Sequence, residues 1–344
     1  MKGPINILMS LSLLLMLSCS REDAPVDMAQ EAILFASPGI ETRALVNDLY
    51  EMEDGFSVYA SRYTQAYMDA GFFNNVKVSR AGEYEGEYFW TPGASHEFFS
   101  VYPYYDEVSD EYDGGLEYEM DGTGKTLKVI GSGSNGELYS GTDNNGQNLL
   151  KDILYDVALY EAPFIPGQSD FGKIKFNLKH ACSAISFSIN NLSGENISSV
   201  SLTSGNIEIT GLDDTGLLAI SADGGISAKW EGLADSQEKH LYLPSVTVIG
   251  TDVWKHGEER DWHTAVIIPQ DFTSKTVSLS FDINFENNDR RQYAVTLSDV
   301  KVGDGNYKYL PGKHYKYRFD ITNTNIMCYV TIVDWIEDEP IKLQ

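Results

Sequence analysis

Apolar and polar residues alternate with a period of two along much of this chain. The clearest case is His314 to Ile321, where Tyr315, Tyr317, Phe319 and Ile321 are interleaved with His314, Lys316, Arg318 and Asp320. That pattern predicts a strand with one buried and one wet face, entered through the Pro311-Gly312 turn. The same reasoning predicts strands carrying Phe56, Val58 and Ala60; Phe98, Phe99, Val101 and Tyr102; Ile174, Phe176 and Leu178; and Ile185, Phe187 and Ile189. Further strands are expected at Ile207 and Ile209, Leu241 and Leu243, Val266 to Ile268, Val277 to Phe285 and Val330 to Trp335. Turn formers separate them, among them Asn190-Asn191, Asp213-Asp214-Thr215-Gly216, Asp223-Gly224-Gly225 and Gly303-Asp304-Gly305. No long stretch carries a helical period, so the expected fold class is all-β.

Two segments break the strand pattern. The stretch 131–148 is polar and rich in Gly and Asn, and reads as a long surface loop. Pro163 to Gln168 is irregular, follows the expected strand Ile153 to Leu159, and precedes Phe171, so a domain boundary is expected at about residue 168. The 344 residues fit about two domains on a prior of roughly 150 residues each. The 51 acidic against 25 basic residues leave a net charge of −26, which repels phosphates and excludes nucleic acid as a partner.

The N-terminus carries its own pattern. Lys2 is followed by an apolar run from Ile7 to Leu17, broken only by Ser10 and Ser12, and small Ser18 stands directly before Cys19. This is the layout of a secretory signal, too short to span a bilayer permanently. A Cys after the small residue is what a lipoprotein signal requires, because its thiol takes the lipid before the preceding peptide is cut away. The expected order is a signal peptide at 1–18, Cys19 as the lipidated N-terminus tethering the chain to a bilayer, and an acidic tether at 19–30. An ordinary signal with an incidental Cys is the alternative. With Cys19 assigned, only Cys182 and Cys328 remain, in two predicted strands, either bridged or as two buried thiols; this is no disulfide scaffold.

Candidate chemistry is sparse. His256, Glu258, Glu259, Asp261 and His263 form the densest cluster of potential metal ligands, but they lie between strands and read better as a charged hairpin with Trp254 and Trp262 on the sandwich edge. Asp121-Gly122-Thr123-Gly124 and Asp143-Asn144-Asn145-Gly146 lack the ligand alternation of a calcium loop. Gly131-Ser132-Gly133-Ser134 lacks the strand-to-helix setting of a nucleophile elbow, and His180 reads as a packed histidine. No catalytic site, metal site or cofactor is expected. The Tyr-rich stretch Tyr84 to Tyr118 admits two readings: an exposed platform for sugar rings, which would make a tethered glycan-binding lipoprotein, or half-buried strand positions.

Several segments together resemble the fimbrillin-like (Mfa-like) family, subunits of type V pili and related surface lipoproteins of Bacteroidales. They are Ile33-Leu34-Phe35 with Thr42-Arg43-Ala44, Phe56-Ser57-Val58-Tyr59-Ala60, Tyr88-Phe89-Trp90-Thr91-Pro92, and Phe98-Phe99-Ser100-Val101-Tyr102-Pro103. Further on come Asp152-Ile153-Leu154-Tyr155, Phe176 to Ala181, Ile185-Ser186-Phe187, Ile268-Pro269-Gln270, Pro311 to Tyr317 and Val333-Asp334-Trp335. Ser20-Arg21-Glu22-Asp23 resembles the acidic export tag of surface lipoproteins from the same order. The resemblance implies two tandem transthyretin-like β-sandwiches, here 31–168 and 169–344. It also implies a place on the cell outer membrane and in a fimbrium, and assembly with other subunits by strand exchange after a trypsin-like protease cuts behind an Arg. An adhesion ligand on a host or bacterial surface would be a further partner.

The residues supply a physical reason for that assembly. Ala32, Ile33, Leu34, Phe35 and Ala36 are apolar on both faces and are expected to be buried as a strand inside a sandwich. Removing them leaves unpaired backbone groups and empty pockets that a neighbour's strand would fill. Arg43, before Ala44, is the expected cutting position, since Ser37-Pro38-Gly39 favours an exposed loop. The candidate donor strand lies at the other end, around Cys328, Val330 and Ile332, although the charged, Pro-broken Glu337 to Pro340 weakens it.

Overall fold

The computed structural model describes residues 31–40, 55–104, 116–133, 135–140, 149–161, 172–201, 207–235, 241–243, 245–247, 253–300 and 308–335. The signal segment, Cys19, the acidic tether, Arg43 and Ala44 lie outside them, as does the tail from 336 onward. The described chain is all-β, apart from one 3-10 turn at Leu297–Asp299.

Its first strands are β1 (Gly39–Ile40), β2 (Phe56–Tyr63), β3 (Met68–Val78), β4 (Ser95–Tyr102), β5 (Glu117–Met120), β6 (Thr126–Ile130), β7 (Leu138–Tyr139) and β8 (Leu154–Tyr160). Next come β9 (Asn177–His180), β10 (Ser183–Asn191), β11 (Ile197–Ser201), β12 (Ile207–Thr210), β13 (Thr215–Ser221) and β14 (Ser227–Ala234). The rest are β15 (Leu241–Leu243), β16 (Val246–Thr247), β17 (Glu259–Ile267), β18 (Ser278–Phe285), β19 (Arg290–Thr296), β20 (Lys313–Ile321) and β21 (Ile326–Asp334).

One sheet runs β1-β9-β8-β4-β2-β3 and faces a second of order β14-β13-β6-β5, with β7 also on β13. Tyr59, Phe99 and Val101 from the first meet Tyr118, Leu127, Val129, Leu218 and Ile220 from the second in one core. The first sheet is also covered on its other face, where Phe56, Val58, Ala60, Phe73, Phe98, Leu154, Phe176 and Leu178 form a separate core. Burial on both faces explains why β2 is buried at six consecutive positions, Phe56 to Ser61, rather than at alternate ones.

A second sandwich pairs the sheet β17-β10-β20-β21 with the sheet β15-β12-β18-β11-β16, β18 also carrying β19. Ile185, Phe187, Trp262, Phe281, Tyr315, Tyr317 and Phe319 lie between them. Trp254 and Trp262 belong to this core and not to its edge, and His256 accepts the Gly194 N–H at 3.1 Å.

Three local expectations are corrected. The sheets do not divide at residue 168: β9 pairs with β8, and β13 pairs with β6 through Leu218 opposite Val129. The hairpin β13–β14 thus completes a sheet begun by β5 at Glu117, far earlier in the chain, a long-range pairing that local irregularity cannot signal. Thr215-Gly216 lies in β13 instead of a turn, and Leu138 and Tyr139, expected in a loop, pair with Gly216 and Thr215. Cys182 and Cys328 are free thiols, the first fully buried in the shared core and the second packed against the core of the second sandwich.

Candidate functional site: a groove closed by the first strand

The first described segment, 31–40, spans a gap between two other pieces of chain. On one side Ile33 N–H donates to Tyr88 O (2.9 Å) and Trp90 N–H to Glu31 O (3.0 Å), in an antiparallel bridge of Ala32 with Phe89. On the other side Ile174 N–H donates to Leu34 O (2.8 Å), Ala36 N–H to Ile174 O (2.7 Å) and Gly39 N–H to Phe176 O (2.8 Å), and β1 continues parallel to β9. The chain leaving β3 is linked to that sheet by a bridge of Val78 with Tyr84 before it reaches 88–90. The segment therefore closes a wrapped sheet over the core on its inner face.

Its side chains alternate. Ile33 and Phe35 are fully buried, whereas Leu34 between them is 48% exposed. This corrects the expectation of burial on both faces: solvent and not a second sheet lies outside the segment. Burying the two inward side chains contributes about 1.5–3 kcal/mol each. Phe35 stands among Phe73, Tyr84, Phe98 and Phe176, with ring centroids 5.9, 5.4, 6.2 and 6.0 Å away. The Tyr84 hydroxyl donates to Ile33 O at 2.5 Å, tying the wall to the segment's backbone.

The turn that brings the wall so close needs a glycine. Gly82 has φ +83°, and a Cβ there would lie 2.3 Å from the carbonyl oxygen of Phe35. No side chain fits between those two backbones.

The 88–92 wall is braced from β2 and β4. Arg62 pairs with Asp69 at 3.1 Å, donates to the Thr91 hydroxyl at 2.9 Å, and lies over the Phe72 ring. His96 accepts the Thr91 N–H through Nε2 at 3.4 Å, and its ring meets Trp90 at 5.1 Å. Burial, and then the positive charge of Arg62, hold the His96 pKa down from 6.5 to about 4. The neutral imidazole is therefore the form that accepts this bond at neutral pH.

Of the other expected site residues, Cys328, Val330 and Ile332 lie on β21, half-buried against the core of the second sandwich. Met327 and Tyr329 alternate with them and are exposed. Among the described residues β21 pairs only with β20, in an unshifted register from Ile321 opposite Ile326 to Lys313 opposite Asp334. Its end is anchored: Trp335 is buried and stacked on His180 at 4.1 Å, and His180 contacts Asp152 at 2.8 Å. His180 is thus a packed histidine.

The wall residues Tyr84, Tyr88 and Trp90 were not readable as a site from their own segment. Their alternation with Glu and Gly suits a wet platform as well as a wall. Here the rings turn inward, with Tyr88 stacked on Phe73 at 4.0 Å and Trp90 buried. Tyr118 is buried too, its hydroxyl donating to Pro103 O.

A β-sandwich protein whose inner core is sealed by its first described segment is the class that this fold and groove define. The family model for fimbrillin-like proteins matches residues 42–335, and the chain belongs to that family. It is similar to a crystal structure of a fimbrial protein from Bacteroides vulgatus ATCC 8482, at 13% identity over 88% of this chain and 99% of that one, with a TM-score of 0.57. That likeness is one of fold. Weaker superpositions are found with a putative cell adhesion protein from Bacteroides ovatus ATCC 8483 (13% identity, 90% and 99% covered, TM-score 0.49). The tip fimbrial protein Mfa3 from Porphyromonas gingivalis, with C-terminal truncation, follows at 11% identity, 89% and 100% covered, and a TM-score of 0.36. No curated protein matches the sequence.

Proposed function

We propose that this chain is a non-enzymatic subunit of a cell-surface fimbria, exported as a lipoprotein through Cys19 and assembled by exchange of its first strand. In this reading a trypsin-like protease cuts behind Arg43, the segment 31–40 leaves, and a strand of another subunit takes its place; the assembled fibre supports adhesion. Family membership supports the fimbrial role. The observation that carries the exchange step is the closing segment itself. Ten residues bonded to two separate pieces of chain, with Ile33 and Phe35 fully buried, seal a core that their loss would open. Such an opened groove exposes backbone donors and acceptors as well as apolar walls, the combination that favours capture of an added strand.

Among the described residues of the Tyr84–Tyr118 stretch, Trp90 and Tyr118 are buried and Tyr84 and Tyr88 pack half-buried against a core, which favours strand and wall positions over a glycan platform there. N-terminal sequencing of protein recovered from cell-surface material tests the proposal. A mature end at Ala44, within high-mass ladders resistant to SDS, is the expected result. A surface population that starts only at lipidated Cys19 and remains monomeric would overturn it.

A further inference from the structure

The groove's chemistry limits what can fill it. The box around Phe35 is made of four rings, one of them, Phe176, stacked nearly parallel at 20° and the other three meeting it edge-on. Two residues earlier Ile33 is fully buried, and Leu34 between them faces solvent. An occupant that reproduces these contacts needs a phenyl ring at one inward position and a branched aliphatic side chain two residues before it. Tyr84 reads only a backbone carbonyl, which any strand supplies.

This chain's own last described strand does not carry that pattern. The face of β21 that packs inward presents Ile326, Cys328, Val330 and Ile332, none of them aromatic. Val or Ile in the Phe35 place leaves part of the four-ring box empty, and the lining loses its contacts. Turned over, β21 offers Met327 and then Tyr329. A phenol there would bring a hydroxyl out of water into a box that holds a bare phenyl ring in this structure.

Resting on the strand-exchange reading, we propose that the groove is selective for a strand from a different subunit, one carrying Phe two residues after a branched aliphatic residue, over β21 of a second copy. On that reading β21 of a second copy is not the strand that fills this groove.

The test uses the full folded chain with a site-specific protease sequence placed at 41–44. After cutting, it is held a few degrees below its unfolding midpoint with a large excess of labelled peptide. Three peptides are compared: the 31–40 sequence, the same sequence with Phe35→Val, and the 326–334 sequence. Capture is read by native mass spectrometry and dissociation constants by anisotropy. The 31–40 peptide is expected to enter, and the Phe35→Val and 326–334 peptides to bind at least ~100-fold more weakly, the scale of an underfilled aromatic pocket. Equal capture of all three, or of 326–334 as tightly as 31–40, overturns the selectivity while leaving strand exchange intact. If the 31–40 peptide itself fails to enter, strand exchange fails and the selectivity with it.

Discussion

The first and last described strands of this protein are similarly apolar, yet they are held very differently. Segment 31–40 is hydrogen-bonded on both sides and buries Ile33 and Phe35 completely. Strand β21 is bonded to β20 alone among the described residues, and its inward side chains Ile326, Cys328, Val330 and Ile332 are only half-buried. Hydrophobicity alone does not distinguish them; the number of neighbours does. Losing the first strand opens two edges and a core, whereas losing β21 uncovers one edge and withdraws Trp335 from above His180.

The sharpest way to break this comparison is to truncate one inward side chain on each strand. Phe35→Ala should cost about 3–5 kcal/mol and Val330→Ala about 1 kcal/mol, because only the first empties an enclosed ring box. Calorimetric midpoints of the two variants decide it, and equal losses would remove the asymmetry. A smaller effect is expected at the turn behind the strand. Gly82→Ala forces a side chain against the Phe35 carbonyl and should cost about 1–3 kcal/mol, with faster hydrogen exchange at the amides of Ile33 and Ala36.

Acid should loosen the groove wall by a graded amount. The folded pKa of His96 lies near 4 against an ordinary 6.5, so the unfolded chain takes up the proton first as pH falls. Its stabilisation is complete above about pH 6.5 and is lost as pH falls through about 4. His263 on β17, also held near 4 by burial, adds the same slope in the second sandwich. Denaturant titrations from pH 7 to 4 should show stability falling, with a shallower slope for His96→Gln and shallower still when His263→Gln is added. An unchanged slope in both variants would assign the acid sensitivity to carboxylates. The smallest effect belongs to Leu34→Ser, within about 0.5 kcal/mol by denaturant melts, since that side chain already faces water.

The period-two pattern determined much of this protein unaided. Tyr315, Tyr317, Phe319 and Ile321 are buried as their alternation requires, although His314 and Asp320, expected on the wet face of the same strand, are buried too; Phe56, Val58, Ala60, Ile33 and Phe35 all belong to cores. Asp223-Gly224-Gly225 turns β13 into β14 as its composition predicts. These features are local, set by the pleat and by the backbone freedom of glycine. Partnership was decided only by the tertiary structure. That β13 would join β6, that Tyr84 and Trp90 would wall a groove instead of facing water, and that Leu34 would be exposed while its neighbours are sealed all depend on segments far apart in sequence. Alternation says which side chains share a face of a strand, but the face becomes a core, a wall or a solvent boundary only when another strand arrives to cover it.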